Sequence, residues 1–269
     1  MPELPEVETI RRGLDARLRG LTIRGVEVRE PRLRRTIDVA ALSALSGRRV
    51  EAVARRAKYL LVDVGGGWVW LIHLGMSGRL LVLPEGTPAA AHEHVRVDLE
   101  GELVLCYRDP RRFGLMRVGR LEEFAELRGL GPEPLDGRLA ATLTSRLRAT
   151  RRDIKAALLD QRLVAGIGNI YANEILFRAG IRPTRRCFRL TRDEIDAISR
   201  ATRAVLRAAI HRRGTSFSDY FDSDGIPGTF QQRLRVFDRA GEPCRRCGAT
   251  VKRRAHGGRS SFYCPRCQV

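Results

Sequence analysis

The chain has 269 residues, 43% of them hydrophobic, which is enough for two ordinary domains with cores of their own. Fifty Lys and Arg residues against 31 Asp and Glu leave a net charge of +19, a self-repulsion that points to a polyanionic partner, with nucleic acid the first candidate. No run approaches the roughly 18 apolar residues of a membrane helix, and the acidic first ten residues are unlike a signal peptide, so no membrane partner and a cytoplasmic location are expected.

Only Lys58, Lys155 and Lys252 are lysines, so nearly all the positive charge is guanidinium, suited to phosphate contacts and stacking but a poor nucleophile. Pro5 followed by Glu6 and Glu8 reads as a helix start, and Val7, Ile10, Leu14 and Leu18 recur at helical spacing until Gly20. Residues 1–4 then project ahead of a buried helix. From Leu21 to Val118 the pattern changes to short alternating runs, including 59–64, 68–74, 95–99 and 103–107, with a turn at Glu100-Gly101. This predicts a β-sandwich or barrel with few helices.

Residues 129–137 are dense in Gly and Pro and read as a linker. Helical runs follow near 138–160 and 170–179, then a long helix over about 192–212 opened by a capping box of Thr191 and Glu194. From Gly214 to Gly228 the chain is polar and glycine-rich, which predicts a mobile loop.

Cys244 and Cys247, then Cys264 and Cys267, form two C-x-x-C knuckles separated by sixteen residues. That spacing places four thiolates around one structural Zn²⁺, in a closed site that supports the fold and does no chemistry. The other two cysteines are isolated, and Cys106 is expected in a strand core. Lys252, Arg253, Arg254, His256 and Arg259 lie between the knuckles. A tip that basic can reach phosphate, although a solvated turn would carry the same charges.

The sequence has no dinucleotide fingerprint, P-loop or Ser/His/Asp signature, and His73, His92, His94, His211 and His256 lack metalloprotease spacing. Once Met1 is removed, Pro2 is a secondary amine, and α-amino groups titrate at about 7.7–8.0, so an appreciable share is neutral and nucleophilic. Attack on a sugar C1′ would give an iminium ion, an electron sink for elimination of neighbouring phosphates. Glu3 adjoins this amine as an acid or base within reach, and Glu6 is a second carboxylate one turn away. Read locally, the same residues also make an ordinary helix lead-in.

Seven segments in order resemble bacterial formamidopyrimidine-DNA glycosylase, the 8-oxoguanine DNA glycosylase/AP lyase family. They are Pro-Glu-Leu-Pro-Glu-Val-Glu-Thr at the start, Arg-Arg-Ala-Lys-Tyr-Leu around Lys58, His-Leu-Gly-Met-Ser-Gly at 73–78, Asp-Pro-Arg-Arg-Phe-Gly at 109–114, Gly-Pro-Glu-Pro-Leu at 131–135, Gly-Ile-Gly-Asn-Ile-Tyr at 166–171, and the zinc ribbon. The resemblance implies an α+β chain with an amino-terminal β-sandwich (1–128), a linker (129–137), a helix-two-turn-helix domain with a lesion-capping loop (138–228) and a zinc-finger hairpin (229–269), with DNA bound between the domains. It implies Pro2 as nucleophile and Glu3 as general acid/base, with Lys58 and Arg259 also in the catalytic set. DNA contacts would come from His92, Arg111, Lys155, Asn169 and Arg259, with Lys155 near the damaged base.

The damaged nucleotide must leave the stack, and the resemblance implies Met76, Arg111 and Phe113 as the residues that fill the gap. Asn169 also reads as a helix N-cap or part of an anion site. The loop from Ser218 to Phe230 resembles the family's lesion-capping loop. The implied activity is removal of oxidised purines from duplex DNA through a proline Schiff base and β,δ-elimination by a monomer, nucleoid-associated through its DNA.

One departure stands out. Where the family usually has Val-Tyr-Gly-Arg, this chain has Val236-Phe237-Asp238-Arg239, which removes a phenol and adds a negative charge, so weaker binding is expected. Two rivals are the endonuclease VIII branch, which favours oxidised pyrimidines and more often has glycine where this chain has Leu4, and a catalytically silent DNA-binding homologue in which Met1 is retained.

Overall fold

The computed structural model describes residues 1–137, 139–217, 220–256 and 258–269, without the side chain of His256. Arg138 at the expected domain start, Ser218 and Asp219 of the expected capping loop, and Gly257 and the His256 side chain of the basic hairpin therefore lie outside the described residues. The chain divides into two compact units: Met1–Arg128 with Arg212–Gln231, and Gly129–His211 with Gln232–Val269.

In the first unit, α1 (Leu4–Leu18) buries Val7, Ile10, Leu14 and Leu18, spaced on one face as the sequence predicts, and packs on β2 (Ala52–Arg56). The other elements are β1 (Ile23–Val28), α2 (Val39–Ser43), β3 (Tyr59–Asp63), β4 (Trp68–His73), β5 (Arg79–Pro84), β6 (Glu93–Leu99), β7 (Leu103–Arg108) and β8 (Leu115–Arg120). They form two antiparallel sheets, ordered β1-β6-β7-β5 and β2-β3-β4-β8, which is the expected sandwich. Leu60, Val62, Trp70, Ile72, Leu80, Val95, Val97 and Leu105 share one core with the helix stripe, each such side chain contributing about 1.5–3 kcal/mol of burial. The five-residue α2 was not legible as periodicity; it depends on the Asp38 carboxylate accepting the Ala41 N–H at 3.0 Å.

Arg212–Gln231 belongs to the same compact unit as this sandwich. Ser223 O accepts the Val82 N–H at 3.0 Å, and Asp224 pairs with Arg17 at 2.8 Å. Gly13 in the middle of α1 permits this approach, since a Cβ there would meet Ser223 Oγ at 2.0 Å. The segment expected as a mobile loop is thus held by specific bonds over its described part, with Asp222 Oδ1 accepting the Asp224 and Ile226 N–H groups at 3.0 and 2.8 Å.

The second unit contains α3 (Leu139–Arg148), α4 (Ile154–Leu158), α5 (Asn169–Ala179), α6 (Arg192–His211), β9 (Lys252–His256) and β10 (Arg259–Tyr263). The run expected near 138–160 is two helices. The break occurs because the first amides of α4 find outside partners: Ile154 N–H donates to Arg185 O at 2.8 Å and Lys155 N–H to Pro183 O at 3.2 Å. The expected capping box opens α6, with Thr191 N–H donating to Glu194 Oε2 at 2.7 Å and Glu194 N–H to Thr191 Oγ1 at 3.2 Å.

Polar residues on α5 fix the carboxy-terminal segment. Asn173 Oδ1 accepts the Phe262 N–H at 2.8 Å, and the buried Glu174 carboxyl accepts the Arg235, Val236 and Phe237 N–H groups, each at 2.9 Å. Burial raises the Glu174 pKa, partly opposed by those three donors. Among the described residues no helix is long and apolar enough to cross a membrane.

Candidate active site and metal centre

The amino terminus is buried for so polar a segment. Pro2 is buried, Glu3 is 3% exposed and Glu6 2%. Glu3 occupies the N-cap of α1, so the positive end of the helix faces it. The Glu6 carboxylate bridges two segments, with Oε2 accepting the Glu3 N–H at 2.8 Å and Oε1 the Thr215 N–H at 2.7 Å. Gly214, at φ +81°, makes room for it, because a Cβ would lie 2.7 Å from Oε1. Tyr220 also donates its hydroxyl to Glu6 O at 3.3 Å. Glu6, legible in the sequence only as a second acid, therefore fixes the backbone that carries Pro2 and Glu3.

Lys58 follows Ala57, which holds φ +54° in the turn between β2 and β3, and is 7% exposed. Arg55 stabilises that turn by donating to Ala57 O at 2.9 Å while pairing with Glu8 of α1 at 3.1 Å. Burial opposes ionisation of Glu8, but Arg12, Arg11 and Arg55 hold its carboxyl below the usual range. Next to Lys58 lies His73, whose ring tilts against Tyr59 at 4.8 Å. Burial, then the charges of Lys58 and Arg34, push its pKa down to about 4. Its Nδ1 accepts the Gly75 N–H at 3.0 Å, which leaves the neutral ring's proton on Nε2. Here is a neutral donor beside a cation. His73 lacks metal-ligand spacing, and its membership of His-Leu-Gly-Met-Ser-Gly is the only sequence signal for it.

Met76 follows β4, and Arg111 and Phe113 lie between β7 and β8. Met76 is 38% and Phe113 44% exposed, with the Arg111 guanidinium 4.8 Å over the Phe113 ring. Both are more exposed than fully packed core side chains of their size. His92 is exposed at φ +61°, and its carbonyl accepts the Asp109 N–H at 3.0 Å.

In the second unit, Asn169 is the first residue of α5, and Gly168 is the N-cap, so the N-cap reading of Asn169 is corrected. Its side chain crosses to the zinc hairpin, where Nδ2 donates to Ser260 O at 3.2 Å; among the described residues its buried Oδ1 has no partner. Lys155 reaches the same carbonyl. Its ammonium, in a residue 3% exposed, donates to Ser260 O at 2.6 Å and Ser261 Oγ at 2.8 Å. Lys155, expected near the damaged base, thus has its ammonium on the two residues of β10 that follow the exposed Arg259.

Three family models match this chain in order: the formamidopyrimidine-DNA glycosylase N-terminal domain over residues 1–116, the formamidopyrimidine-DNA glycosylase H2TH domain over 130–220, and a zinc finger found in FPG and IleRS over 241–269. The chain belongs to the formamidopyrimidine-DNA glycosylase family. It is 46% identical over 271 residues to the formamidopyrimidine-DNA glycosylase of Pectobacterium atrosepticum and 47% identical over 271 residues to that of Syntrophotalea carbinolica, with 100% of each chain covered in both cases. Among solved structures, the MutM (Fpg) protein of Thermus thermophilus superposes with a TM-score of 0.89 at 42% identity, covering 99% of this chain and 98% of that one. The Lactococcus lactis Fpg in complex with DNA containing an abasic site gives a TM-score of 0.90 at 32% identity, with 99% of both chains covered.

Four cysteines converge within the segment that the zinc-finger model matches. The Sγ atoms of Cys244, Cys247, Cys264 and Cys267 lie within 4.8 Å of one another, with Cys244 to Cys267 at 3.9 Å and Cys247 to Cys264 at 3.5 Å. Tetrahedral zinc with Zn–S of about 2.3 Å requires sulfur atoms about 3.8 Å apart. The Arg246 and Cys267 N–H groups each donate to a knuckle sulfur at 3.4 Å. Burial and the neighbouring thiols push Cys267 up to about 12, whereas backbone donors, working against burial, draw Cys244 down to about 7. Four thiolates this close need a divalent cation to ionise together, and this glycosylase's donor set fits one structural Zn²⁺.

Proposed function

We propose that the protein is a base-excision-repair enzyme that removes oxidised purines, 8-oxoguanine and formamidopyrimidines among them, from duplex DNA and then cleaves the resulting abasic strand. The observation that carries this reading is the buried Pro2-Glu3 pair at the positive end of α1, held by Glu6. With Met1 removed, the Pro2 nitrogen bonds to C1′, and the bond from C1′ to the damaged base breaks, the base leaving with a proton. Glu3 protonates O4′ as the sugar ring opens, giving the iminium ion. Loss of a C2′ proton then expels the 3′ phosphate, a further elimination expels the 5′ phosphate, and water releases the sugar fragment from proline. A positioned acid of this kind is worth about 10²–10⁴-fold.

The remaining residues serve the substrate. Lys58, His92, Asn169 and Arg259 meet phosphates, which supplies affinity without sequence preference. Met76, Arg111 and Phe113 occupy the space of the displaced nucleotide and read the orphaned base. Zinc holds the hairpin that presents Arg259 and takes no part in the reaction. The domain roles follow: residues 1–128 carry the chemistry, 129–137 link, the helical part of 138–228 and the hairpin of 229–269 grip DNA, and the capping loop sits with the catalytic unit. The enzyme acts as a monomer in the bacterial cytoplasm, on the nucleoid.

Borohydride trapping tests this reading. The purified protein is incubated with duplexes containing 8-oxoguanine, thymine glycol or an abasic site, and its intact mass is read alongside. Wild type lacking Met1 should crosslink and excise 8-oxoguanine faster than thymine glycol, Pro2→Gly should lose the crosslink, and Glu3→Gln should lose base excision. A preference for thymine glycol assigns the pyrimidine branch. No crosslink from demethionylated protein overturns the proposal.

A further inference from the structure

Asp109 is fully buried, yet no step above uses it. Its Oδ1 accepts the Ser77 hydroxyl at 2.6 Å, and its Oδ2 accepts the Tyr107 hydroxyl at 3.0 Å and the Gly114 N–H at 2.8 Å. Its carbonyl is bonded to His94 Nε2 at 2.8 Å and accepts the Arg112 N–H at 3.0 Å. Ser77, 4% exposed, passes the connection on, because its Oγ also accepts the Arg111 N–H at 3.2 Å. Both loops that carry the exposed side chains thus close on one carboxylate.

Three glycines allow this closure. A Cβ on Gly75 would lie 2.3 Å from the Phe113 carbonyl carbon, one on Gly78 2.8 Å from the Tyr107 hydroxyl, and one on Gly114 1.7 Å from that hydroxyl. The outer side is fixed as well, by Arg34 N–H donating to Gly114 O at 3.2 Å and by an Arg112–Glu30 ion pair at 3.1 Å. A buried carboxylate with both oxygens engaged by three donors is costly to leave half-satisfied, so the two loops adopt one arrangement before any ligand arrives.

We infer that Asp109 is the positioning residue of the gap-filling wedge, acting through Ser77, Tyr107 and Gly114 to hold Met76, Arg111 and Phe113 in their inserted geometry in the free protein. The inference rests on the gap-filling role proposed above for those three residues. Preorganisation removes the ordering cost from the insertion step and leaves the chemistry at Pro2 untouched. Asp109 is therefore needed only where a partner strand leaves a gap to fill.

The test compares two substrates, 8-oxoguanine in a duplex and an abasic site in a single-stranded oligonucleotide, which has no orphaned base. Asp109→Asn keeps the shape but cannot accept from Ser77, Tyr107 and Gly114 together. Ser77→Ala removes the hydroxyl's bonds to Asp109 and Arg111, leaves those of Tyr107 and Gly114 to Asp109, and serves as the milder variant should Asp109→Asn fold poorly. Either variant should lose on the order of 10²-fold in duplex excision, with borohydride trapping on the single strand at the wild-type rate. Quenching of 2-aminopurine placed opposite the lesion, a direct readout of insertion, should fall in step. Equal losses on both substrates, or wild-type rates on both, overturn the inference. Wild-type protein inert on both substrates overturns the parent reading, and this one with it.

Discussion

Replacing Lys155 by methionine separates two accounts of that residue. The side chain keeps its length and loses the ammonium that meets Ser260 O at 2.6 Å and Ser261 Oγ at 2.8 Å. Hydrogen bonds from a charged donor contribute about 1.5–3 kcal/mol each, but the variant also avoids the cost of burying a cation. Ser260 O retains the Asn169 amide at 3.2 Å, whereas Ser261, 3% exposed, loses this partner. The net loss is about 2 kcal/mol, which lowers the melting temperature by about 4–8 °C. Arg259, next along β10, then stands on a hairpin that has lost one anchor, so the slope of log affinity against log salt should fall by up to about 0.9, the value of one phosphate contact. Fluorescence anisotropy over a salt series, on 8-oxoguanine, abasic-analogue and undamaged duplexes, should show similar weakening on all three. A loss confined to 8-oxoguanine, with wild-type melting and salt slope, would refute this account and place Lys155 on the base.

Zinc removal should act on binding alone: chelation, or Cys247→Ser, should release one equivalent of metal and abolish duplex affinity, while the melting of the β-sandwich in Met1–Arg128 stays near its original temperature; retained affinity in metal-free protein would contradict the structural role. His73 has a folded pKa of about 4 against about 6.5 unfolded, so the unfolded chain binds the extra proton; its contribution, on the order of 3 kcal/mol, is complete above pH 6.5 and lost as the pH falls through 4. An NMR titration should therefore find its midpoint near 4, and a midpoint near 6.5 excludes the buried neutral ring. Asp238 holds φ +59°, and Phe237 packs edge-on to Phe262 at 5.2 Å. Phe237→Tyr with Asp238→Gly relieves about 1 kcal/mol of backbone strain and removes a carboxylate. Anisotropy at fixed salt should then show tighter duplex binding, and unchanged affinity counts against any cost from this departure.

What the sequence made legible divides along physical lines. The α1 stripe, the alternating strands, the Thr191–Glu194 capping box and the cysteine knuckles are local, since their signal lies within a few residues of the structure it specifies. The contacts that the sequence did not reveal are those settled at long range. Lys155 and Asn169 meet Ser260 across 105 and 91 residues, and Glu6 meets Thr215 across 209. A lysine in a helix or a glycine-rich segment looks the same whether its partner is a phosphate, water or a distant carbonyl, and periodicity contains nothing that tells them apart.

Asp109 shows the same limit inside a recognised motif. Asp-Pro-Arg-Arg-Phe-Gly and His-Leu-Gly-Met-Ser-Gly draw the eye to the arginine, phenylalanine and methionine, which can touch a ligand. Yet Asp109, Ser77 and the glycines are the residues that determine where those side chains point. The exposed members of the two motifs follow from the chemistry of the target. The buried members follow from the need to complete a hydrogen-bond network among themselves, so a substitution at Asp109 should disturb the wedge more than a conservative change at Met76, although only Met76 is exposed.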